Sequence, residues 1–400
     1  MIRKNFLSYI RFLLYGLTLL FLFHFETTSI GSVKVSHLWK GAILVYLILV
    51  IFREMKLKTF IYGPFLCISV LQLVNIELYN NPFNAVLLFS TTVIIPLIGI
   101  YVLRFKPEQL KLSLIFFSSF FILSFVPYQI GLLSSLGSVY ELLSYGSEDK
   151  GLVGPFQEEH AASTTLASSL LVVVFFWLSN TYSKWLLSVL FALGFYFLFF
   201  TYARTGMAMF AIGLLPIVWF FGKHSLVRFL RLAIVLSFST LLIFSWVLSN
   251  ETMMSRITGE RVTTSETESF EQLGSGRGLL FLSSLQIYAE ANIAEKIIGI
   301  GQSEALQRMG GWPPHNGFLS LLLNNGILAL LLFLSFIRNI YKLQNGMHQL
   351  GSSILIQSLL LAYMTMTFFQ DYDLLYALLL LMLSIAFSYK AQLIRNRLQI

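Results

Sequence analysis

Four short stretches of the chain hold groups suited to chemistry. Arg204 stands in TYARTG (201–206), between two apolar runs. Its guanidinium is always charged and presents a planar fork of donors that suits a phosphate or pyrophosphate. An arginine at the centre of a membrane helix costs roughly 2.5–3.5 kcal/mol on insertion scales, so a charge kept there is a functional candidate. An anchor at the membrane surface is the plainer alternative. Arg277 lies in GSGRGLLF (274–281), where it is expected to open a helix on the membrane surface. A helix N-terminus beside a guanidinium makes an anion site, and a solvated loop arginine is the plainer reading. His315 lies in WPPHNGF (312–318), where the chain turns back into an apolar run. Its imidazole can take a proton near neutral pH, while Asn316 is a favourable helix N-cap. Glu158, Glu159 and His160 end the segment GPFQEEH (154–160). They can bind a sugar hydroxyl or exchange a proton with it. They can equally form an acidic first turn that suits the helix dipole.

Several other chemistries lack their motifs. There is no GxxxxGK[ST] phosphate loop, no HExxH, no GxSxG and no Cys/His cluster. The single cysteine, Cys67, lies in an apolar run and excludes an intrachain disulfide. Asp371 and Asp373 form a pair in spacing only, inside a tight turn. No metal and no cofactor is expected.

The elements that position these groups are membrane helices. Apolar residues make up 56% of the 400 and charged residues 12%, about half the charge of a soluble domain. Apolar runs near 20 residues recur along the chain, without the alternation of a β-barrel. Twelve candidate spans follow: 8–26, 39–53, 60–78, 84–103, 111–133, 161–180, 184–201, 205–221, 229–249, 316–337, 352–369 and 372–389. The fold expected is therefore an all-α polytopic membrane protein. Residues 1–249 carry nine spans, 250–315 form one long external loop, and 316–400 carry three spans and a tail. The N-terminal run, lacking a small-residue cleavage site, reads as an uncleaved first span.

Charge supports this map. The expected inner loops hold Arg3, Lys4, Arg11, Arg53, Lys56, Lys58, Arg104, Lys106, Lys111, Lys184, Lys223, Arg228, Arg231, Arg338, Lys342, Lys390, Arg395 and Arg397. These are most of the 27 basic residues, and only Glu54 and Glu108 of the 19 acidic ones join them. Both termini are thus expected in the cytoplasm. The net charge of +8 follows from topology and does not call for a nucleic acid. In the long loop, Phe281, Leu285 and Tyr288 fall at helical spacing, as in an amphipathic helix lying on the membrane.

Taken together, TYARTG, SGRGLLF, IIGIGQ and PHNGFLSLLLNNGI, in this order, resemble the bacterial O-antigen ligase and O-antigen polymerase superfamily. The pattern runs from about Gly154 to Phe336. The resemblance implies a GT-C-type membrane glycosyltransferase of the bacterial inner membrane, with its site on the periplasmic face. Its donor would be an undecaprenyl-pyrophosphate-linked oligosaccharide. Arg204 and Arg277 would match the arginines that bind the pyrophosphate, and His315 the catalytic histidine. GPFQEEH resembles a segment of polymerase-like members that often have Glu-Pro where this chain has Glu158-Glu159, which leaves the role of Glu159 open. Membrane lipids, a chain-length regulator and a flippase are the partners the resemblance implies. A polymerase is favoured over a ligase on the GPFQEEH segment alone. A transporter is the reading from another class. Against it, the candidate groups cluster at one face and the span interiors carry almost no charge.

Overall fold

A computed structural model of the chain describes residues 29–30, 33–34, 41–49, 61–133 (apart from 76, 78 and 79), 151–156, 159–224, 273–347, 351–370 and 375–398, with isolated positions 227, 230 and 245. Of residues 29–30, 33–34, 273–277, 375–376 and 396–398 it describes the backbone alone. The expected spans 8–26 and 229–249, the first part of the long loop, Glu158, Asp371 and Asp373 lie outside the described residues.

A two-residue antiparallel pair, β1 (Ser29–Ile30) with β2 (Val33–Lys34), precedes the helices. After helix 41–49 come α1 (Gly63–Val74), α2 (Pro82–Val102), α3 (Pro107–Leu123), α4 (Val126–Gln129), α5 (Glu159–Leu178), α6 (Lys184–Phe200) and α7 (Arg204–His224). Then follow α8 (Leu273–Glu290), α9 (Ile293–Ile298), α10 (Gln302–Arg308), α11 (Gly317–Gly346), α12 (Ser352–Phe369) and α13 (Leu375–Leu398). Among the described residues seven helices are long and apolar enough to cross a membrane: α2, α3 with α4, α5, α7, α11, α12 and α13. Helices α1 and α6 are apolar but shorter.

Proline opens α1, α2, α3 and α4, where its missing N–H has no helical partner to lose. Helix α5 is apolar on all sides, and every residue from Ala162 to Phe176 is buried. That pattern belongs to a helix at the centre of a bundle, and α3, α6, α7, α12 and α13 surround it.

Contacts fix which helix ends lie together. Ser358 of α12 donates to the Gly213 carbonyl of α7, and Gly351 lies against Phe220. Helices α7 and α12 are therefore antiparallel, with Arg204 level with Phe369. Gly206 lies against Ser163, one turn into α5. At the far end Lys111 sits over the Tyr182 ring at 5.1 Å, Arg104 over Tyr101 at 5.4 Å, and Ser388 donates to the Ser352 carbonyl. Lys184, Lys223, Arg338, Lys342 and Lys390 fall at this same basic end.

One expected span is not a simple helix. Residues 316–337 were expected to cross as one piece, yet α11 breaks at Gly326, where φ is +75° and ψ 179°. A continuous helix would hold positions 318 and 333 about 22 Å apart. The Phe318 and Phe333 rings instead lie 5.9 Å apart. The limb 317–325 is thus folded back beside 327–346, which runs on to Gly346. Backbone freed in a membrane must find partners inside the protein. Here Ile300 and Gly301 supply them, donating to the Leu323 carbonyl at 2.8 Å and the Asn324 carbonyl at 3.2 Å. Gly299 (φ +91°) and Gly301 (φ +83°) let this linker into the break, and a Cβ on Gly299 would overlap the Asn324 backbone.

Candidate functional site

Most of the candidate groups collect at the end of the bundle opposite the basic one. Arg204 opens α7 and is exposed. The turn before it is tight: Tyr202 has φ +56°, and Ala203 donates to the Thr201 hydroxyl at 3.3 Å. Among the described residues no carboxylate pairs with Arg204. A cation at the positive end of a helix dipole repels it unless an anion lies between them.

Glu159 and His160 open α5 beside this turn. The segment 151–156 threads across the end of α6, with Leu152 donating to the Phe200 carbonyl at 2.8 Å. Gly151 passes so close that a Cβ would lie 2.7 Å from the Thr201 carbonyl oxygen and 2.9 Å from Glu159 Oε2. The Glu159 carboxylate and the Arg204 turn are thus neighbours, and α7 meets α5 at Ser163, whose hydroxyl donates to the His160 carbonyl at 3.0 Å. Phe125 stacks on Phe197 and meets Phe156, at 5.6 and 5.7 Å between centroids, closing one side.

His315 and Asn316 reach the same end by another route. His315 is half-buried with φ +49°, an uncommon conformation for a side-chain-bearing residue. Asn316 caps α11 as expected, accepting from the N–H groups of Phe318 and Leu319, both at 3.1 Å. Its amide also donates to the Phe368 carbonyl at 2.9 Å. That bond sets the His315–Asn316 pair at the end of α12, the level of Arg204.

Sequence reasoning missed Gln370, the C-cap of α12. It is buried, and its amide nitrogen has no hydrogen-bond partner among the described residues. The one sequence signal was a polar residue ending an apolar run.

Arg277 needs a correction. Helix α8 begins at Leu273, so Arg277 lies in its second turn and does not open it. The glycines at 274, 276 and 278 are helical. Tyr288 also changes sides. It packs with Leu280, Ile287 and the small core of Ala291, Ile300, Ala305, Met309 and Leu323, and donates to the Lys296 carbonyl at 3.2 Å. Burial raises its pKa. Phe281, Leu282 and Leu285 face outward. Arg308 pairs with Glu304 within α10 at 2.9 Å and ties α10 to α9 through Glu295 at 3.2 Å, and the bond to Glu304 chiefly raises its pKa. Leu323 is the link that joins this external core to the short limb of α11.

Among the described residues no three His, Cys, Asp or Glu side chains converge as metal ligands.

A helical bundle with several membrane-length helices and polar groups gathered at one end defines a polytopic membrane protein. Residues 187–334 match the family model described as O-antigen ligase, which supports the resemblance to the O-antigen ligase and polymerase superfamily. The match spans α6 to the long limb of α11 and contains Arg204, Arg277, His315 and Asn316, but begins after Glu159 and His160. No curated protein matches the chain.

Proposed function

We propose that the chain is a surface-polysaccharide polymerase, a membrane glycosyltransferase that moves a glycan from undecaprenyl pyrophosphate to a hydroxyl of another lipid-linked repeat unit. The observation that supports it is the convergence of Arg204 and the His315–Asn316 pair at one end of the bundle, within the matched family domain. In this reading that end faces the periplasm, both termini are cytoplasmic, and the bundle is of the GT-C type with twelve spans.

The acceptor hydroxyl oxygen attacks the anomeric carbon from the face opposite the pyrophosphate. The new C–O bond forms as the bond to the pyrophosphate breaks. The electron pair leaves on the pyrophosphate oxygen, so the anomeric configuration inverts. His315 takes the hydroxyl proton. Arg204, with Arg277 brought from α8, stabilises charge growing on the leaving group, where fixed cations are worth most. Glu159 and His160, at the start of α5, can orient a sugar hydroxyl, and Glu158 is assigned the same role from the sequence. The lipid tail lies among the helices, and a chain-length regulator and a flippase serve the same substrate.

Purified protein in vesicles, given a polyprenyl-pyrophosphate oligosaccharide, tests this. A ladder of glycans lost in His315→Ala is the expected outcome. Transfer only after lipid A-core is added would favour a ligase, the second reading, which the family description supports. Donor crossing the bilayer with no transfer would favour a transporter.

A further inference from the structure

Glu77 lies in the turn between α1 and α2 and is fully buried. A carboxylate buried near a membrane surface is costly unless several donors satisfy it. Three do. Asn84 donates to Oε1 at 2.6 Å, the Ser303 hydroxyl to the same oxygen at 2.6 Å, and the Ser303 N–H to Oε2 at 2.8 Å. The packing leaves no slack, because a Cβ on Gly301 would lie 2.9 Å from Glu77 Oε2. Two residues before it, Asn75 donates to the Asn324 carbonyl at 3.0 Å and to Asn325 Oδ1 at 3.3 Å. The α1–α2 turn therefore grips both sides of the break in α11: the short limb through Asn75, and the inserted linker through Glu77 and Ser303.

We propose that Glu77 is a positioning residue for glycan transfer: it holds the Gly299–Gly301 linker in the break at Gly326 and so fixes the short limb that carries His315. This rests on the reading of His315 as the catalytic base. A base misplaced by about 1 Å can lose roughly 100-fold in rate, while donor contacts made by Arg204 on the intact helix α7 stay in place. The expected signature is a fall in kcat with an unchanged donor KM.

The test uses the full chain in vesicles, with a polyprenyl-pyrophosphate oligosaccharide, as wild type, His315→Ala, Glu77→Ala, Glu77→Gln and Glu77→Gln with Asn84→Asp. Glu77→Ala should lower kcat roughly 100-fold with donor KM within about twofold. Glu77→Gln should lie between, since an amide accepts the Ser303 N–H but faces the Asn84 amide with its own donors. Adding Asn84→Asp reverses that bond and should restore most of the rate. Hydrogen exchange adds a readout that needs no turnover: amides of 299–303 and 317–325 should exchange faster in Glu77→Ala, and those of α7 and α12 should not. Wild-type kcat in Glu77→Ala beside an inactive His315→Ala would overturn the proposal and leave the transferase reading standing. So would no rescue by Asn84→Asp. If wild type transfers nothing, the transferase reading fails, and unchanged exchange over 317–325 would then remove the positioning claim as well.

Discussion

Helices α7 and α11 both leave the site end directly after a residue in the left-handed region, Tyr202 at φ +56° and His315 at φ +49°. Helix α7 then runs unbroken to His224. It rests on the bundle, through Gly206 on Ser163 and Gly213 on Ser358. Helix α11 makes nine residues and folds back at Gly326. Its short limb rests on the external core through Leu323, on the glycine linker, and on the α1–α2 turn. Arg204 is thus carried by the bundle itself, and His315 by an assembly of parts distant in sequence. In the proposed transfer, a rigid cation and a base set by a separate polar assembly would be a sensible division, one gripping the leaving group and the other admitting bulky glycans.

The sharpest way to break this comparison is at the two side chains. His315→Ala should lower transfer roughly 100- to 10,000-fold. His315→Gly should be as inactive but more stable by up to about 1 kcal/mol, since glycine tolerates the positive φ. Equal activity in wild type and His315→Ala would remove the base. Arg204→Gln should cost about 100- to 1,000-fold in kcat/KM, and Arg204→Lys only part of it, because lysine keeps the charge and loses the fork. Full activity in Arg204→Gln, measured over a donor titration, would refute the anion role.

The next smaller effects compare two glycines. Gly326 and Gly310 both have positive φ, +75° and +68°. A Cβ on Gly326 would overlap the Ile297 carbonyl, whereas one on Gly310 meets nothing within 4 Å. Gly326→Ala should cost about 2–5 kcal/mol from strain plus overpacking. Gly310→Ala should cost about 1 kcal/mol from strain alone. Similar unfolding midpoints in the two variants would show that the break is not closely packed.

Much of α7 was readable in advance and much of α11 was not. Hydropathy places α5, α7 and α12, since their apolar runs end in turns, and charge agrees, since Lys184 after α5 and Lys223 in α7 fall at one end. Asn316 was legible as a cap because capping is local chemistry. The break at Gly326 was not, because a glycine in an apolar run reads as a tolerated helix residue. What makes it a break is the carbonyl of Ile297 and the N–H groups of Ile300 and Gly301, brought in by tertiary folding. Glu77 was missed for the same reason: a carboxylate in an Asn-rich turn looks solvated until Ser303 is seen on it. The start of α8 was misplaced because the apolar spacing that marks the helix begins only after Arg277, while the polar turn before it, from Leu273, carries no such signal.

The smallest expected effect concerns Gln370, and it has opposite signs in two measurements. A buried amide N–H without a partner costs stability in the resting protein. Among the described residues, the polar groups at that level are those of the Arg204 and His315–Asn316 end, which Asn316 joins to α12 through the Phe368 carbonyl. If the amide waits for a substrate oxygen, Gln370→Leu should leave the donor-free protein as stable or up to about 1 kcal/mol more stable. The same change should weaken donor binding about five- to tenfold, the value of one net hydrogen bond. A structural amide would behave the other way, with a lower unfolding midpoint and unchanged KM. Thermal unfolding without donor and a donor titration on the same preparation separate the two, because one substitution cannot raise stability and loosen binding through packing alone.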